Sequence, residues 1–493
     1  MIETRDLLLE NQQLREENYL QKLQIQKDNL RISKLENQLE QLLRTVYGKK
    51  SERYAPTLPG QISLPLDIAA IEKLEAKKET ITYEREKPSG KSNHKGRLPL
   101  PDHLQRVDID IEPKEDVTGL VKIGEEITEQ LECEPGKLFV KRYRRAKYAK
   151  PQGEGVLIGE LPSFIIPRGI AGAGLLALII IQKYVDHLPL YRQIEMFKRM
   201  GIEIPSSTMS DWLAMCIKEL APLYEALKTK ILSASYLMAD ETPIKVLDRD
   251  KRGNITLGYY WVYRDPHSGL VLFDYRPGRG GDGPRDILKN FEGFLQADGY
   301  NVYESFDNKK ITLIHCMAHA RRKFDEALKD DHIRANHVLS AMQKLYVVER
   351  TCREMKYSFQ QRDELRQEKS IPVLEELHQW LKDNMTAGNP KSPIRIAINY
   401  SLQRWDKLML YASNGMLEID NNLVENSIRP VALGKKNYLF AGSHASAQRA
   451  AMIYSLLGTC KLKGVEPFQW LKNIFEVLPD WKFNKLEELL PKN

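Results

Sequence analysis

At 493 residues the chain is too long for a single hydrophobic core, and we expect it to divide into roughly three or four domains. Its 42% hydrophobic and 29% charged residues are ordinary for a globular protein, which excludes a chain that is disordered throughout. The formal charge of +7 is a small excess of 74 basic over 67 acidic residues, so the positions of the basic residues say more about partners than their total does.

The five cysteines lie far apart and form no C-x-x-C pair. This pattern favours a reducing cytoplasm and argues against a disulfide framework or a thiolate zinc finger. The most apolar run, residues 171–181, is too short to span a bilayer, and the N-terminus has no apolar signal core. We therefore expect a cytoplasmic protein with no membrane partner.

Residues 1–47 contain neither Pro nor Gly and show a heptad pattern, in which apolar residues recur at Ile25, Ile32, Leu39 and Val46. Further leucines three residues on complete an a/d seam, which is typical of a coiled coil. We expect this segment to join two copies of the chain; the alternative is a solitary amphipathic helix packed on its own domain. Residues 48–105 are rich in Pro and Lys and are predicted to be a linker.

Residues 106–165 alternate apolar and polar positions, which predicts strands, and they include a run of basic and aromatic residues. Basic side chains between aromatics suit a strand pair lying along a phosphate backbone, and a solvated strand face is the alternative. The predicted DNA contacts of this segment are Lys141, Arg142, Arg144, Arg145 and Lys147.

Residues 166–228 are predicted to be helical. A helix, a turn at Gly201 and a second helix that opens on Ser206 resemble a helix-turn-helix. The N-terminal side chains of the second helix would reach base edges, and the predicted readers are Ser207, Thr208 and Ser210. Many helix pairs look like this without touching DNA, so the prediction gains weight from the neighbouring coiled coil and basic segment.

β-Rich runs occupy residues 229–324. Tyr236–Pro243 is an apolar strand that reaches Asp240, and Phe294–Tyr300 is a later strand that reaches Asp298. Three strands that can pair as a meander, followed by alternating helices and strands, predict a ribonuclease-H-like α/β layer. In such a layer the two aspartates can end neighbouring strands at one edge.

Residues 325–411 are rich in Lys, Glu and Leu and predict an all-helical insertion. A short polar helix follows; Asp420 suits its N-cap, and Pro430 is expected to end or kink it. At about 100° per residue Asp420 and Glu425 stand roughly 140° apart, so only one of them can join a carboxylate site on this helix.

Three carboxylates on rigid elements can hold two Mg²⁺ roughly 4 Å apart, one activating a water or 3′-hydroxyl and the other stabilising the leaving oxygen of a phosphodiester. Oxygen ligands suit Mg²⁺, Mn²⁺ can substitute, and zinc is not expected. His319 is predicted at the rim of the site, with a buried structural histidine as the alternative. The basic residues expected to face phosphates near the site are Arg429, Lys435, Lys436, Arg321 and Arg322.

Motifs along most of the chain are similar to those of one family: Tyr47–Glu52, His187–Gln193, Ala239–Pro243, Gln296–Tyr300, Ala318–Phe324 and Glu418–Gly442. In these the chain resembles the insertion-sequence-66 family, the large transposase subunit of a bacterial mobile element. The resemblance implies an Asp-Asp-Glu transposase that cuts and joins DNA with Mg²⁺, its motif residues falling on Asp240, Asp298 and Glu425. Members often carry a Cys-rich zinc-binding segment, whereas the matching region here offers only Cys133.

The sequence thus predicts a multidomain α+β protein: a nucleoid-associated DNA transposase that binds double-stranded element ends and target DNA. It is expected to be a homodimer or higher oligomer, with helper proteins of the same element as candidate partners. There are two alternatives. One is a metal-dependent nuclease or resolvase without strand joining, and the other is a DNA-binding regulator whose carboxylates no longer catalyse a reaction. The predicted segments are 1–47, 48–105, 106–165, 166–228, 229–324, 325–411, 412–460 and a helical tail at 461–493.

Overall fold

The computed structural model describes residues 100, 102, 104–113, 118, 121–134, 136–149, 156–248 and 254–492. They belong to one compact unit, Lys95–Asn493. The predicted coiled coil over 1–47 and nearly all of the predicted linker over 48–105 lie outside the described residues, so both stay predictions.

An N-terminal sheet forms where the alternating pattern predicts strands. Its strands are β1 (Arg106–Ile111), β2 (Val121–Glu134), β3 (Lys137–Ala149) and β4 (Val156–Ile158). β2 and β3 pair antiparallel across a turn at Gly136, whose φ of +84° suits glycine because it lacks a Cβ. β1 pairs with β3 in parallel and β4 pairs with β3 antiparallel.

A buried carboxylate fastens this sheet to the next helix, α1 (Ala173–Tyr184). Glu132 is fully buried, and its Oε1 accepts from the backbone N–H of Leu175 at 3.0 Å, in the first turn of α1. Such an acceptor satisfies an amide that has no partner inside the helix, and it complements the helix dipole. Lys141 Nζ lies 2.8 Å from Glu132 Oε2 and balances its charge.

The predicted helix, glycine turn and second helix are confirmed. α2 (Leu190–Arg199) is followed by a turn at Gly201, whose φ is +77°, and then by α3 (Ser206–Glu219) and α4 (Ala221–Leu232). Among the described helices, none combines the length and apolarity that crossing a membrane requires.

The second sheet contains the predicted three-stranded meander, followed by strands that alternate with helices. The strand through Asp240 extends further than predicted, and the strand before Asp298 ends earlier than predicted. Its elements are β5 (Tyr236–Asp248), β6 (Asn254–Asp265), β7 (Leu270–Arg276), α5 (Asp282–Ile287), β8 (Gly293–Ala297), α6 (Asn301–Glu304) and β9 (Ile311–His315). The strand order is β7-β6-β5-β8-β9. β5, β6 and β7 form an antiparallel meander, and β8 pairs in parallel with both β5 and β9.

The predicted insertion is helical. It comprises the end of α7 (Met317–Ala327), then α8 (His332–Glu354), α9 (Phe359–Leu365), α10 (Ile371–Asp383), α11 (Pro393–Gln403) and α12 (Trp405–Met409). A π-helical turn, Arg366–Ser370, joins α9 to α10, and a 3₁₀ turn, Leu410–Ser413, follows α12.

Buried ion pairs lie at the centre of the insertion. Arg366 and Glu349 are fully buried, and Arg366 Nε lies 2.7 Å from Glu349 Oε1. Arg366 also donates to the carbonyls of Tyr411 at 2.6 Å and Leu417 at 2.8 Å. Burial acts to raise the pKa of Glu349, but the hydrogen bonds and charges of Arg366 and Arg362 hold it below its usual range. The network fixes the insertion to the segment that leads back to the core.

Three α-helices follow the insertion: α13 (Asn422–Tyr438), α14 (His444–Leu462) and α15 (Pro467–Val477). The expectation that Pro430 could end the polar helix is wrong, because α13 continues to Tyr438. α15 lies within the predicted helical tail at 461–493, and short 3₁₀ segments follow at Leu478–Asp480 and Phe483–Leu489.

Hydroxyl groups of α14 cover the edge strand β7. Ser455 Oγ accepts from the N–H of Phe273 at 2.8 Å, and Thr459 Oγ1 accepts from the N–H of Val271 at 3.3 Å. An uncovered edge presents unpaired backbone groups on which another chain can pair. The α14 hydroxyls therefore take the place of a neighbouring strand.

We expect Arg366→Met to lower the free energy of unfolding by about 3–5 kcal/mol, because it removes one of the guanidinium partners of a buried carboxylate. Arg353→Met is the matched control, since the Arg353 side chain is 57% exposed and lies 3.9 Å from Glu418. Such an exposed pair contributes about 0–1 kcal/mol. Urea unfolding of both variants beside the parent chain measures the difference. An Arg366 variant as stable as the Arg353 variant would show that the network does not hold the insertion.

Candidate active site

The two predicted aspartates lie at one edge of the second sheet. The last pair between the parallel strands β5 and β8 joins Met238 to Gln296. Asp240 and Asp298 each lie two residues beyond that pair, so they leave neighbouring strands at the same edge. β5 itself continues along β6 to Asp248. The strand therefore does not end at Asp240 as predicted; only its pairing with β8 ends before it.

The carboxylate of Asp240 lies among other negative charges. Burial first, then the charge of Glu241, and further those of Asp298 and Glu425, raise the pKa of Asp240 to about 8. The Asp240 Oδ1 atom accepts from the N–H of Glu241 at 2.8 Å, which opposes part of this rise. Asp298 Oδ1 accepts from the N–H of Tyr300 at 3.0 Å in the turn after β8. The structure thus brings the three predicted carboxylates within electrostatic range of one another.

α13 is fastened to β5 at the residue before Asp240. Asn421, directly before the helix, is fully buried, and its Nδ2 donates to the carbonyl oxygen of Ala239 at 2.7 Å. Its backbone N–H donates to Cys316 Sγ at 3.1 Å, just beyond β9. Because Glu425 lies in the first turn of α13, this attachment places it near the aspartates.

A second contact orients the same helix. Arg264 on β6 donates through Nη1 to the carbonyl of Leu423 at 2.6 Å and to Ser427 Oγ at 3.1 Å. Glu425 lies between these two residues, and its Oε1 is buried without a hydrogen-bond partner. An unpaired buried carboxylate oxygen is costly, and such atoms mark positions that a ligand can complete.

Asp420 supports the start of α13, although it is not the N-cap residue. Asn421 occupies the N-cap position and makes no side-chain cap bond. Asp420 Oδ1 accepts from the N–H of Asn422 at 3.1 Å, and Tyr346 hydrogen-bonds to the same carboxylate. The prediction of Asp420 as the N-cap is therefore wrong, although its carboxylate accepts from the backbone of the first helical residue.

Two histidines border the site, and burial lowers the pKa of both. His319 Nε2 lies 4.0 Å from Glu425 Oε1, and the pKa of His319 is lowered by burial although Asp298 and Glu425 act to raise it. His315 Nε2 lies 3.0 Å from Glu304 Oε1, and burial lowers the pKa of His315 to about 4. Burial thus favours the neutral form of His319 beside the predicted carboxylate.

Sequence reasoning missed the partners of Glu241. Arg279 Nη2 lies 2.6 Å from Glu241 Oε1, and the Arg279 guanidinium stacks 4.0 Å from the ring centre of Tyr300. The Tyr303 hydroxyl donates to the other oxygen of Glu241 at 3.3 Å. Nothing in the spacing of these residues signals the contacts, because they join separate turns and strands. They hold Glu241, whereas Asp240 has no such cationic partner among the described residues.

The donor chemistry of the site suits a hard divalent cation. Asp240, Asp298 and Glu425 offer oxygen ligands, which Mg²⁺ prefers, and a cation would relieve the repulsion between their like charges. In the described parts of the chain, however, no three His, Cys, Asp or Glu side chains are grouped closely enough to hold a metal ion. The side chains supply ligands of the right kind without forming a finished coordination cage.

The basic residues of α13 have different surroundings. Lys435 Nζ donates to Thr242 Oγ1 at 3.0 Å and to the carbonyl of Pro243 at 2.7 Å, and burial lowers its pKa. Lys435 thus fastens the helix to β5 instead of projecting toward a ligand. Arg429 and Lys436 are exposed, and neither forms an ion pair within the residues that the structure describes.

Three arginines line an open cleft of about 420 Å³ beside the N-terminus of α13. Arg321 and Arg322 belong to α7, and Arg350 belongs to α8. No ion pair joins any of the three to a described residue, although Asp325 also lines the cleft. The sequence places Tyr346 and Arg350 on one face of a helix, but it does not show which elements pack beside that face. Sequence reasoning therefore did not identify Arg350 as a cleft residue.

The five side chains of β3 that were predicted to contact DNA are paired with carboxylates of their own sheet. Residues 106–149 contain nine Lys and Arg against ten Asp and Glu, so this segment carries no excess of positive charge. A DNA contact on this face would have to replace ion pairs, and the role stays a prediction. The strand partners are Glu132 for Lys141 (2.8 Å), Glu129 for Arg142 (3.3 Å), Glu125 for Arg144 (3.2 Å), and Glu126 for Arg145 (2.6 Å) and Lys147 (3.2 Å).

The predicted base readers lie in the first turns of α3. Ser207 and Ser210 are exposed, and Thr208 is half-buried. Their positions leave at least two hydroxyls accessible to a partner, and their contact with DNA stays a prediction.

This chain is similar to known proteins over nearly its whole length. The family described as "Transposase IS66 family" matches residues 168–449, "Transposase C of IS166 homeodomain" matches residues 34–109, and "IS66 C-terminal element" matches residues 455–491. No solved structure matches the chain.

Two similar proteins come from Sinorhizobium fredii, and both are described as uncharacterized. The protein y4qI is 34% identical over 94% of this chain and 89% of its own length. The protein y4hP is 31% identical over 93% of this chain and 88% of its own length. Because the main family match covers more than half of the residues and these relatives extend over almost all of them, the chain belongs to the IS66 family of transposases.

Proposed function

We propose that this family member is an Asp-Asp-Glu DNA transposase that hydrolyses and then transfers phosphodiesters with Mg²⁺ bound by Asp240, Asp298 and Glu425. The observation that carries the proposal is the shared register of the two aspartates, each two residues past the last β5–β8 pair. The hydrogen bond from Asn421 to Ala239 adds the third carboxylate to the same edge.

A ribonuclease-H-like core is part of the proposal. The order β7-β6-β5-β8-β9, with an antiparallel meander followed by strands parallel to β5, supports it. This order makes β5 and β8 neighbours, so acids 58 residues apart in sequence, Asp240 and Asp298, share an edge. The helical insertion accounts for the longer separation of 127 residues between Asp298 and Glu425.

The residues around the carboxylates have roles that follow from their contacts. When bound, the divalent cations would activate the attacking water or 3′-hydroxyl and stabilise the leaving oxygen. Arg279 and Tyr303 hold Glu241, which leaves Asp240 as the acid that faces the site from β5. Burial favours the neutral form of His319, which lies 4.0 Å from Glu425, so this histidine would compete little with a cation for the charge of that carboxylate.

DNA would be held from two sides. Arg321, Arg322 and Arg350 line the cleft at the start of α13, and guanidinium groups bind phosphates through paired hydrogen bonds. The exposed hydroxyls at the start of α3 would read base edges at the element end. Association of two copies through residues 1–47 would place two such sites on one synapsed pair of ends.

We expect Glu425→Gln to abolish strand cleavage while leaving DNA binding intact, because the amide keeps the size of the side chain but loses the ligand charge. Asp420→Asn should keep most of the cleavage activity, since its amide oxygen can still accept from the N–H of Asn422. The measurement is cleavage of a labelled element-end duplex in Mg²⁺, with a gel-shift assay for binding. Equal loss of cleavage in both variants would contradict the assignment of Glu425.

An assay with precut element ends distinguishes a transposase from the two alternative functions, a nuclease without strand joining and a DNA-binding regulator. A transposase joins the precut 3′ end to a target strand. A metal-dependent nuclease cuts the intact duplex but leaves no joined product, and a DNA-binding regulator yields neither product.

The pKa of Asp240 predicts a pH dependence of stability. Its folded-state value of about 8 lies above the ordinary 3.8, so the folded chain keeps a proton that the unfolded chain has released between these values. This contribution to stability is lost as the pH rises through that interval. Without divalent ions, the melting temperature of the parent chain should therefore fall more steeply between about pH 4 and pH 8 than that of Asp240→Asn.

The effect of Mg²⁺ on the melting temperature is a second test of the role of Asp240. Above about pH 8 the parent carboxylate is ionised, and Mg²⁺ should raise the melting temperature of the parent chain but not that of Asp240→Asn. Identical responses of the two proteins to pH and to Mg²⁺ would exclude Asp240 as an ion ligand.

The arginine cleft predicts that Arg350→Gln weakens binding of element-end DNA by roughly tenfold, which corresponds to about 1.4 kcal/mol for one charge-assisted phosphate contact. Arg353→Gln is the matched control, because Arg353 lies on the same helix but pairs with Glu418 at 3.9 Å. Fluorescence anisotropy at fixed salt concentration measures both. A loss of equal size in the two variants would mean that the cleft has no special part in binding.

A further inference from the structure

A cavity of about 160 Å³ lies where the helix-turn-helix region meets the far end of α13. Helices α1, α3 and α14, strand β5 and the end of α13 all contribute to its wall. The residues that matter here are Lys183, Ser210, Tyr438, Ser446 and Arg449. Two of the lining side chains are cations, and none of the residues that line the cavity is an acid.

Lys183 is a cation without a counter-charge. Burial lowers the pKa of Lys183 to about 8, and within the described residues no carboxylate pairs with it. Its Nζ lies 4.9 Å from the ring centre of Tyr438 and 5.5 Å from that of Tyr184. The ring faces offset part of the cost of removing the ammonium from water. An anion would offset more of it, because a buried charge is stabilised chiefly by an opposite one.

Arg449 adds a second cation to the same wall. Its Nη2 lies 3.4 Å from Ser446 Oγ, and this is its one hydrogen bond among the described residues. Ser446 lies in the first turn of α14, whose N-terminal end carries partial positive charge from the helix dipole. Two cations, hydroxyl donors and a helix N-terminus around one cavity favour a compact anion.

We propose that this cavity binds a phosphate group, with Lys183 and Arg449 as its charged partners and the hydroxyls of Ser210 and Ser446 as hydrogen-bond donors. A cavity of about 150 Å³ is known to admit benzene, so 160 Å³ has room for one phosphate but not for a whole nucleotide. The phosphate could come from the backbone of DNA lying on α3 or from a free phosphate. The proposal does not depend on the chemistry of the three carboxylates.

Occupation of this cavity would connect two parts of the molecule. Ser210 belongs to the helix predicted to read DNA, and Tyr438 is the last residue of the helix that begins beside Asp240. A phosphate between them would contact both elements. It would therefore stabilise one relative position of the two helices.

The free-phosphate arm compares Lys183→Met with Lys289→Met in the full chain. Lys183 is half-buried, and replacing an unpaired, partly desolvated charge by an apolar side chain of similar length is expected to leave the chain folded and no less stable. Lys289 is exposed and lies outside the cavity wall, so its variant is the matched control. Inorganic phosphate, compared with chloride at equal ionic strength, should raise the melting temperature of the parent and of Lys289→Met more than that of Lys183→Met. Arg449→Gln should reduce the rise as well.

The DNA arm measures how the affinity for a short duplex depends on salt concentration. Loss of one phosphate contact should reduce the slope of log affinity against log salt by about one in Lys183→Met relative to Lys289→Met. A lost phosphate response with an unchanged slope assigns the cavity to free phosphate, and a reduced slope assigns it to the DNA backbone. If Lys183→Met behaves like Lys289→Met in both measurements, the proposal is overturned.

Discussion

The hydrogen bond between the side chain of Asn421 and the carbonyl of Ala239 determines where the third candidate carboxylate, Glu425, lies relative to Asp240. It spans 182 residues of sequence and joins the residue before Asp240 to the residue before α13. Because a buried amide that loses its partner costs about 1–3 kcal/mol, the contact fixes both distance and direction. Glu425 is one helical turn further on, so any shift of the helix start moves the third carboxylate away from the two aspartates.

The helical insertion holds the loop that leads to this contact. Arg366 donates to the carbonyls of Asn414 and Leu417 in the loop that precedes α13, and Arg362 binds both carboxylate oxygens of Glu418 at 2.8 Å. A buried ion network of this kind is weak evidence for stability, but its geometry leaves few alternative arrangements. The insertion therefore helps to hold the loop that leads into α13, the helix that carries Glu425.

The sequence predicts those features that depend on local pattern. The strands that reach Asp240 and Asp298 are apolar runs, and parallel pairing alone then places both acids at one edge. Pro430 shows the limit of local rules, because tertiary contacts at both ends of α13 keep the helix continuous past it. The basic run on β3 shows a second limit: its register sets Arg145 opposite Glu126, and no local pattern reveals a partner on another strand. The arginine cleft is hidden for the same reason, since it joins helices from separate segments.

The distribution of charge explains how a site rich in carboxylates can face DNA. Asp240, Asp298 and Glu425 repel one another and would also repel a phosphodiester, so cations must lie close by. The β1–β4 segment cannot supply them, because its basic residues are matched by acids. Five cations that form no ion pair with a described residue instead flank α13: the three arginines of the cleft at its start, and Arg429 and Lys436 along its length. Under the proposed function, these five cations would offset the repulsion between the carboxylates and a phosphodiester, because opposite charges nearby lower the potential that an approaching phosphate meets.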